Sequence, residues 1–252
     1  MNTPSRTSII VTVVALIAIV AVVWVKYQGT PAPTTPDTSG VVPAAMWPSR
    51  EVRQEHLDAS AGPYTITAAY PVTGDERITL DLKAFAQGQV DQFKEDTAWA
   101  ADPSIAPAES NALSLDITYN ESSNNSADNY IFNIVSYTGG AHGLEATVTF
   151  SYDKYGKKLA ITDLFTNGED GLQTIATYVM KVLSSRKLSD QGWISEGAAP
   201  TAENYHAFVV EDTGITFIFD PYQVAPYAAG KQTVTVPLTA FKSIANPDIF
   251  IQ

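Results

Sequence analysis

The chain has 252 residues, 27 acidic and 15 basic side chains, a net charge of −12 and no cysteine. That balance excludes a phosphate-tracking nucleic-acid surface, which needs clustered Lys and Arg. The missing cysteine excludes disulfides, thiol nucleophiles, cysteine-zinc sites and a lipid-bearing anchor cysteine.

In chain order, residues 1–8 form a short N-terminal segment ahead of Ile9–Val25, which is apolar apart from Thr12. As a helix rising ~1.5 Å per residue this stretch reaches ~25 Å, the short end of a bilayer crossing. Trp24, Lys26 and Tyr27 end it where a signal peptide would carry small residues for cleavage. The reading is an uncleaved transmembrane signal anchor, with a cleaved signal peptide as its alternative. Arg6 ahead of the span places the N-terminus in the cytoplasm by the positive-inside rule. The localisation expected is therefore the cell membrane, single-pass, with the C-terminal domain extracytoplasmic. Residues 28–48 hold Pro31, Pro33, Pro36, Pro43 and Pro48 among Thr, Ser and Gly, an extended linker without a core. Ser49–Asp58 is polar and reads as a short helical lead-in.

Tyr64–Tyr70 alternates as a strand. Asp75 is an N-cap for a helix in which Ile78, Leu82, Phe85, Ala86, Val90 and Phe93 recur at helical spacing. Pro103 and Pro107 mark a loop, so residues 60–110 form an N-terminal α+β subdomain and 111–252 a C-terminal one. In the latter, Leu113–Tyr119, Tyr130–Tyr137 and Leu144–Tyr152 read as strands. A second amphipathic helix carries Leu172, Ile175, Ala176, Val179, Val182 and Leu183. Ser189–Glu203 reads as irregular. Ala207–Val210 and Ile215–Phe219 form a hairpin, and Thr233–Val236 a last strand. Short turns between neighbouring strands predict an α+β fold, a mainly antiparallel sheet with two principal amphipathic helices.

Two stretches stand out. Tyr137-Thr138-Gly139-Gly140-Ala141-His142-Gly143 sets a histidine among glycines between two strands. Asp220-Pro221-Tyr222-Gln223-Val224-Ala225-Pro226-Tyr227-Ala228-Ala229-Gly230 follows the hairpin. Together with Phe150-Ser151-Tyr152-Asp153 and Leu164-Phe165, they resemble the extracytoplasmic domain shared by the anti-sigma factor RsiV and the non-catalytic region of the deacetylase PdaC. The resemblance covers about Tyr64–Phe250. It implies an α+β domain outside the membrane behind one span, and, from RsiV, binding of lysozyme, a cationic muramidase. Residues 1–8 are too short for the sigma-binding segment, and no separate deacetylase domain is present in this sequence.

The expected ligand-binding residues are Tyr137, His142, Pro221, Tyr222, Pro226 and Tyr227. Tyrosine offers a large contact area at low entropy cost, and proline pre-orders a loop. The competing reading folds the tyrosines back over the core and uses His142 to cap backbone. An enzymatic alternative has His142 act with a carboxylate on a wall glycan or peptide, and Glu145, Asp153 and Asp163 are candidates for a glycosidase acid–base pair. A third makes the chain an envelope spacer. With three histidines in unrelated stretches, neither a metal site nor another cofactor is expected. The expected partners are the membrane, through the N-terminal helix, and a protein or peptidoglycan ligand; nucleic acid is excluded, and the domain is expected to be monomeric.

Overall fold

The computed structural model describes residues 53–57, 64–101, 113–139, 142–168, 170–188 and 190–250. The expected anchor at 9–25, its short preceding segment and the linker at 28–48 lie outside the described residues. The chain divides into Met1–Pro48 and a compact unit over Ser49–Gln252, to which every described element belongs. Among the described residues, no helix is long and apolar enough to cross a membrane.

The elements run β1 (Arg53–His56), β2 (Tyr64–Val72), α1 (Glu76–Asp96), β3 (Leu113–Ser123), β4 (Asp128–Tyr137), β5 (Leu144–Tyr152), α2 (Asp170–Arg186), α3 (Gln191–Gly197), β6 (Phe208–Glu211), β7 (Gly214–Phe219) and β8 (Gln232–Pro237). One sheet has the order β1-β2-β3-β4-β5 and the other β6-β7-β8. The pairings are antiparallel except β2–β3, which is parallel. The fold is thus α+β and mainly antiparallel. Parallel neighbours need a crossover, which α1 and the segment after it provide. The first sheet therefore draws strands from both sides of residues 102–112.

Two local expectations are corrected. Arg53–His56, read as part of a helical lead-in, is a strand that pairs with Ala69–Val72. Its four residues are all exposed, so no alternation betrays it, and its charges suit a sheet edge that must not recruit another chain. Ser189–Glu203, read as irregular, contains α3. Asp190 caps this helix, its carboxylate accepting from the Gly192 and Trp193 N–H groups.

The first sheet has two different faces. On one, α1 buries Ile78, Leu82, Phe85, Ala86, Val90 and Phe93. Phe85 meets Phe132 and Phe150 edge-to-face at 5.1 and 5.0 Å between centroids. A second core lies between α2 and the small sheet, where Ile175, Val179 and Leu183 pack with Val210, Ile215, Phe217 and Phe219.

The other face of the first sheet is polar yet buried, because β6 docks on it. Phe208 N–H donates to Thr149 Oγ1 (2.8 Å) and Val210 N–H to Asn129 Oδ1 (2.9 Å). Asn129 Nδ2 in turn donates to the Val210 carbonyl (3.0 Å) and to the Ser122 carbonyl (3.1 Å). Ser151 Oγ donates to Asn129 Oδ1 (2.7 Å). Asn124 Nδ2 reaches the same Val210 carbonyl (2.8 Å), and Asp212 accepts from the Ser126 N–H and from Asn125. The free edge of the small sheet is thus closed by side chains rather than by a strand. Asn129, Thr149 and Ser151 are buried for this reason.

Candidate functional site

The two unusual loops converge. The first leaves β4 at Tyr137, turns at Gly139 with φ +97°, and presents His142 exposed before β5. Glycine adopts that φ without a Cβ penalty. The second leaves β7 at Phe219. Tyr222 N–H donates to the Ala225 carbonyl (3.1 Å) and Gln223 N–H to the Asp220 carbonyl (3.1 Å), closing a tight turn. Pro226 then caps the short 3₁₀ turn Tyr227–Ala229.

Val224 and Ala225 plug this loop into the core at 2% and 3% exposure, while Tyr222 and Tyr227 stay half-buried at the surface. The His142 ring stacks on Tyr227 at 4.3 Å between centroids and 23° between planes. Tyr222 lies 5.4 Å from Tyr227 at 34° and 6.4 Å from His142 at 23°. With its proton on Nδ1, His142 donates to the Gly143 carbonyl (2.8 Å), leaving Nε2 to accept from the Tyr222 hydroxyl at 3.5 Å. His142 thus both ties down its own backbone and joins the tyrosines. Pro221 is half-buried and Pro226 exposed beside them. Tyr137 ends β4 opposite Ser114, at the entrance to the glycine loop.

Sequence reasoning missed Trp193. It stands on α3, half-buried, 6.5 Å from Tyr222 with 24° between the rings. The missed helix hid it, although the Asp190 cap was a usable signal. The α3 end also fixes the tyrosine loop. Gln223 Nε2 donates to the Gly197 and Asn204 carbonyls, both at 3.0 Å.

Tyr222 has φ +74°. A bulky residue in the left-handed region carries strain of about 1–3 kcal/mol, and such strain concentrates at functional positions. Neighbouring residues hold it there.

Asp220 ties the tyrosine loop to β5, the strand that follows the glycine loop. Its Oδ2 accepts from the Thr147 N–H on β5 (2.8 Å). Its Oδ1 and the Thr147 hydroxyl are both buried, and among the described residues neither makes a well-formed hydrogen bond. Burial pushes the Asp220 carboxyl above its ordinary value, against the opposing pull of the Thr147 N–H and hydroxyl and of Lys231 and His206. A carboxyl raised in this way contributes stability that is full below the unfolded value of 3.8 and is lost as pH rises through the folded value. Asp220→Asn keeps an acceptor for Thr147 N–H and removes the charge. Its stability relative to the parent is expected to rise between acid and neutral pH in urea titrations; an offset independent of pH would show an ordinary carboxyl.

The enzymatic arrangement is not assembled around His142, whose ring nitrogens meet the Gly143 carbonyl and the Tyr222 hydroxyl rather than a carboxylate. Asp163 caps the turn at residues 161–164 and binds Lys157 at 3.2 Å, and Asp153 accepts from the Tyr155 and Lys157 N–H groups. Glu145 is exposed on β5. Among the described residues, no group of three or more His, Asp or Glu is placed to hold a metal ion.

Residues 162–239 match the family described as "Protein of unknown function (DUF3298)". The match takes in α2, α3, the small sheet and the tyrosine loop. The chain is 31% identical over 179 residues to the peptidoglycan-N-acetylmuramic acid deacetylase PdaC of Bacillus subtilis, covering 69% of this chain and 38% of that protein. It is 29% identical over 115 residues to the immunogenic protein MPT64 of Mycobacterium tuberculosis, covering 45% of this chain and 50% of that one. The chain thus spans half or less of the length of these relatives. A DUF3298-family crystal structure from Bacteroides fragilis superposes with a TM-score of 0.57 at 19% identity, covering 81% of this chain and 97% of that one. Another, from Pseudomonas aeruginosa, gives 0.52 at 16%, with 80% and 94% covered. These two show a shared fold.

Proposed function

We propose, from the premise that this chain carries a DUF3298 domain and is a homologue of PdaC, that it is a membrane-anchored extracytoplasmic binding module of the cell envelope. Its ligand is a cell-wall component or a cationic muramidase such as lysozyme. The observation that carries this reading is the meeting of His142, Tyr222, Tyr227 and Trp193, from three separate elements, in one partly exposed aromatic surface. Half-buried tyrosine and tryptophan with a polar tip are the residues that dominate binding surfaces. A strained Tyr222 and the small residues around it fit a surface held ready before the ligand arrives. The apolar stretch 9–25 and the proline-rich 28–48 supply the anchor and the spacer, and the net charge of −12 suits a cationic partner.

The purified full chain, immobilised, is expected to retain a component of envelope extract or lysozyme. Tyr222→Ala and Tyr227→Ala are each expected to weaken capture by about tenfold or more while leaving the melting transition in place. If neither material is retained, or if capture survives both substitutions, the binding surface is elsewhere and this reading fails. Protease added to intact cells is expected to remove the domain; protection until lysis would overturn the outside location.

A further inference from the structure

Resting on the binding reading above, we infer that the Trp193–Tyr222–Tyr227–His142 surface takes an uncharged pyranose chain, stacked on the rings, as its ligand. Ring orientation decides the class of ligand. An ammonium or guanidinium group is enclosed best by rings set steeply to one another, so that several faces point at one charge. Here the ring planes lie within 23–34° of their neighbours. The rings therefore form a near-parallel shelf, three of the four pairs stacked, and not a cage. One face of Tyr227 is moreover already covered by His142 at 4.3 Å. The shelf suits a ligand with a flat, weakly polar face.

Two kinds of ring meet that description, a nucleobase and a sugar. Single-stranded nucleic acid needs a basic groove beside the stacking platforms, and a chain of net charge −12 opposes it. A pyranose has C–H groups on its face and hydroxyls round its rim, and the shelf is built to match both. The Trp193 indole N–H and the Tyr227 hydroxyl meet no hydrogen-bond partner among the described residues. The Tyr222 hydroxyl has only the His142 nitrogen, at 3.5 Å, the outer limit of a hydrogen bond. Donors at the edge of apolar faces read a ring of equatorial hydroxyls. Trp193 stacks against Tyr222 at 6.5 Å and 24°, and Tyr222 lies 5.4 Å from Tyr227, so four rings offer more surface than one pyranose covers. The ligand is therefore a chain of at least two sugars rather than a monosaccharide.

The test uses the full 252-residue chain and soluble β-1,4-linked N-acetylglucosamine oligomers as the probe, with calorimetry as the readout. Saturable binding is expected, tighter for a tetramer than for the monosaccharide. Trp193→Ala and Tyr222→Ala are expected to weaken it about tenfold or more. Tyr227→Phe, which keeps the ring and removes only the hydroxyl, is expected to weaken it several-fold with an unchanged melt. Because an alanine variant can fail to fold, the Tyr227→Phe result decides the hydrogen-bonding part alone. If the oligomers do not bind while lysozyme does, and Tyr222→Ala abolishes lysozyme binding, the sugar assignment falls and the binding reading stands. If neither binds and envelope extract also leaves nothing on the immobilised chain, both fall. Binding of oligomers that is indifferent to all three substitutions would also overturn the assignment.

Discussion

Replacing Asn129 by Leu is expected to lower the unfolding free energy by about 3–5 kcal/mol. Asn129 is 1% exposed, and its amide makes four hydrogen bonds that tie β3, β5 and β6 together. Leucine is close in size, so the cost is not a cavity. The loss leaves the Val210 N–H and the Ser151 hydroxyl without their acceptor, and the Ser122 carbonyl without this donor. Each buried polar group deprived of its partner costs about 1–3 kcal/mol, and the Val210 carbonyl keeps Asn124 as a donor. Urea titration of the parent and variant would measure the difference. A cost below about 1 kcal/mol would mean that water enters the seam and replaces the amide.

Gly197→Ala is expected to be the next most damaging single change. A Cβ at this position would stand 1.8 Å from the Gln223 carbonyl oxygen and 2.6 Å from its carbon. Both are backbone atoms, so no side chain can swing aside, and the turn that presents Tyr222 must move. Overpacking of this kind costs about 1–3 kcal/mol when a core relaxes. The upper end is expected here, because Gln223 also bonds the Gly197 carbonyl across the same contact. Unlike Asn129→Leu, this variant should lose the binding surface together with its stability, since the loop must yield to fit the methyl group. A Gly197→Ala protein with parent affinity and parent melting temperature would show that α3 does not position the loop.

Most strands and both long helices were legible because their apolar periods are clean. The bounds of the strand Leu144–Tyr152 and the buried stripe of α1 agree with the sequence pattern, although the strand is buried on both faces from Thr147 onward. What stayed hidden was set by contacts rather than by period. β1 is exposed along its whole length and so has no pattern to read. Asn129, Thr149 and Ser151 look like the wet face of a half-buried sheet, and only the docking of β6 makes them interior. The two loops announced themselves through glycine, proline and tyrosine, and the fold brings them together. Trp193 joined them unannounced, because a seven-residue helix with glycine at its second and last positions carries too little pattern to be recognised. The parallel pairing of β2 with β3 likewise depends on a crossover that no local signal specifies.

The side-chain closure of β6 limits where this chain can be divided. The matched segment, residues 162–239, includes the strand whose edge is closed but none of the residues that close it; those lie at 124, 129 and 149. Severed at that boundary, the segment would present the Phe208 and Val210 N–H groups as an open template for another chain. Recombination that moved it alone would transplant an aggregation site. The unit able to pass intact between proteins therefore begins well upstream of residue 162 and must carry β4 and β5 with it.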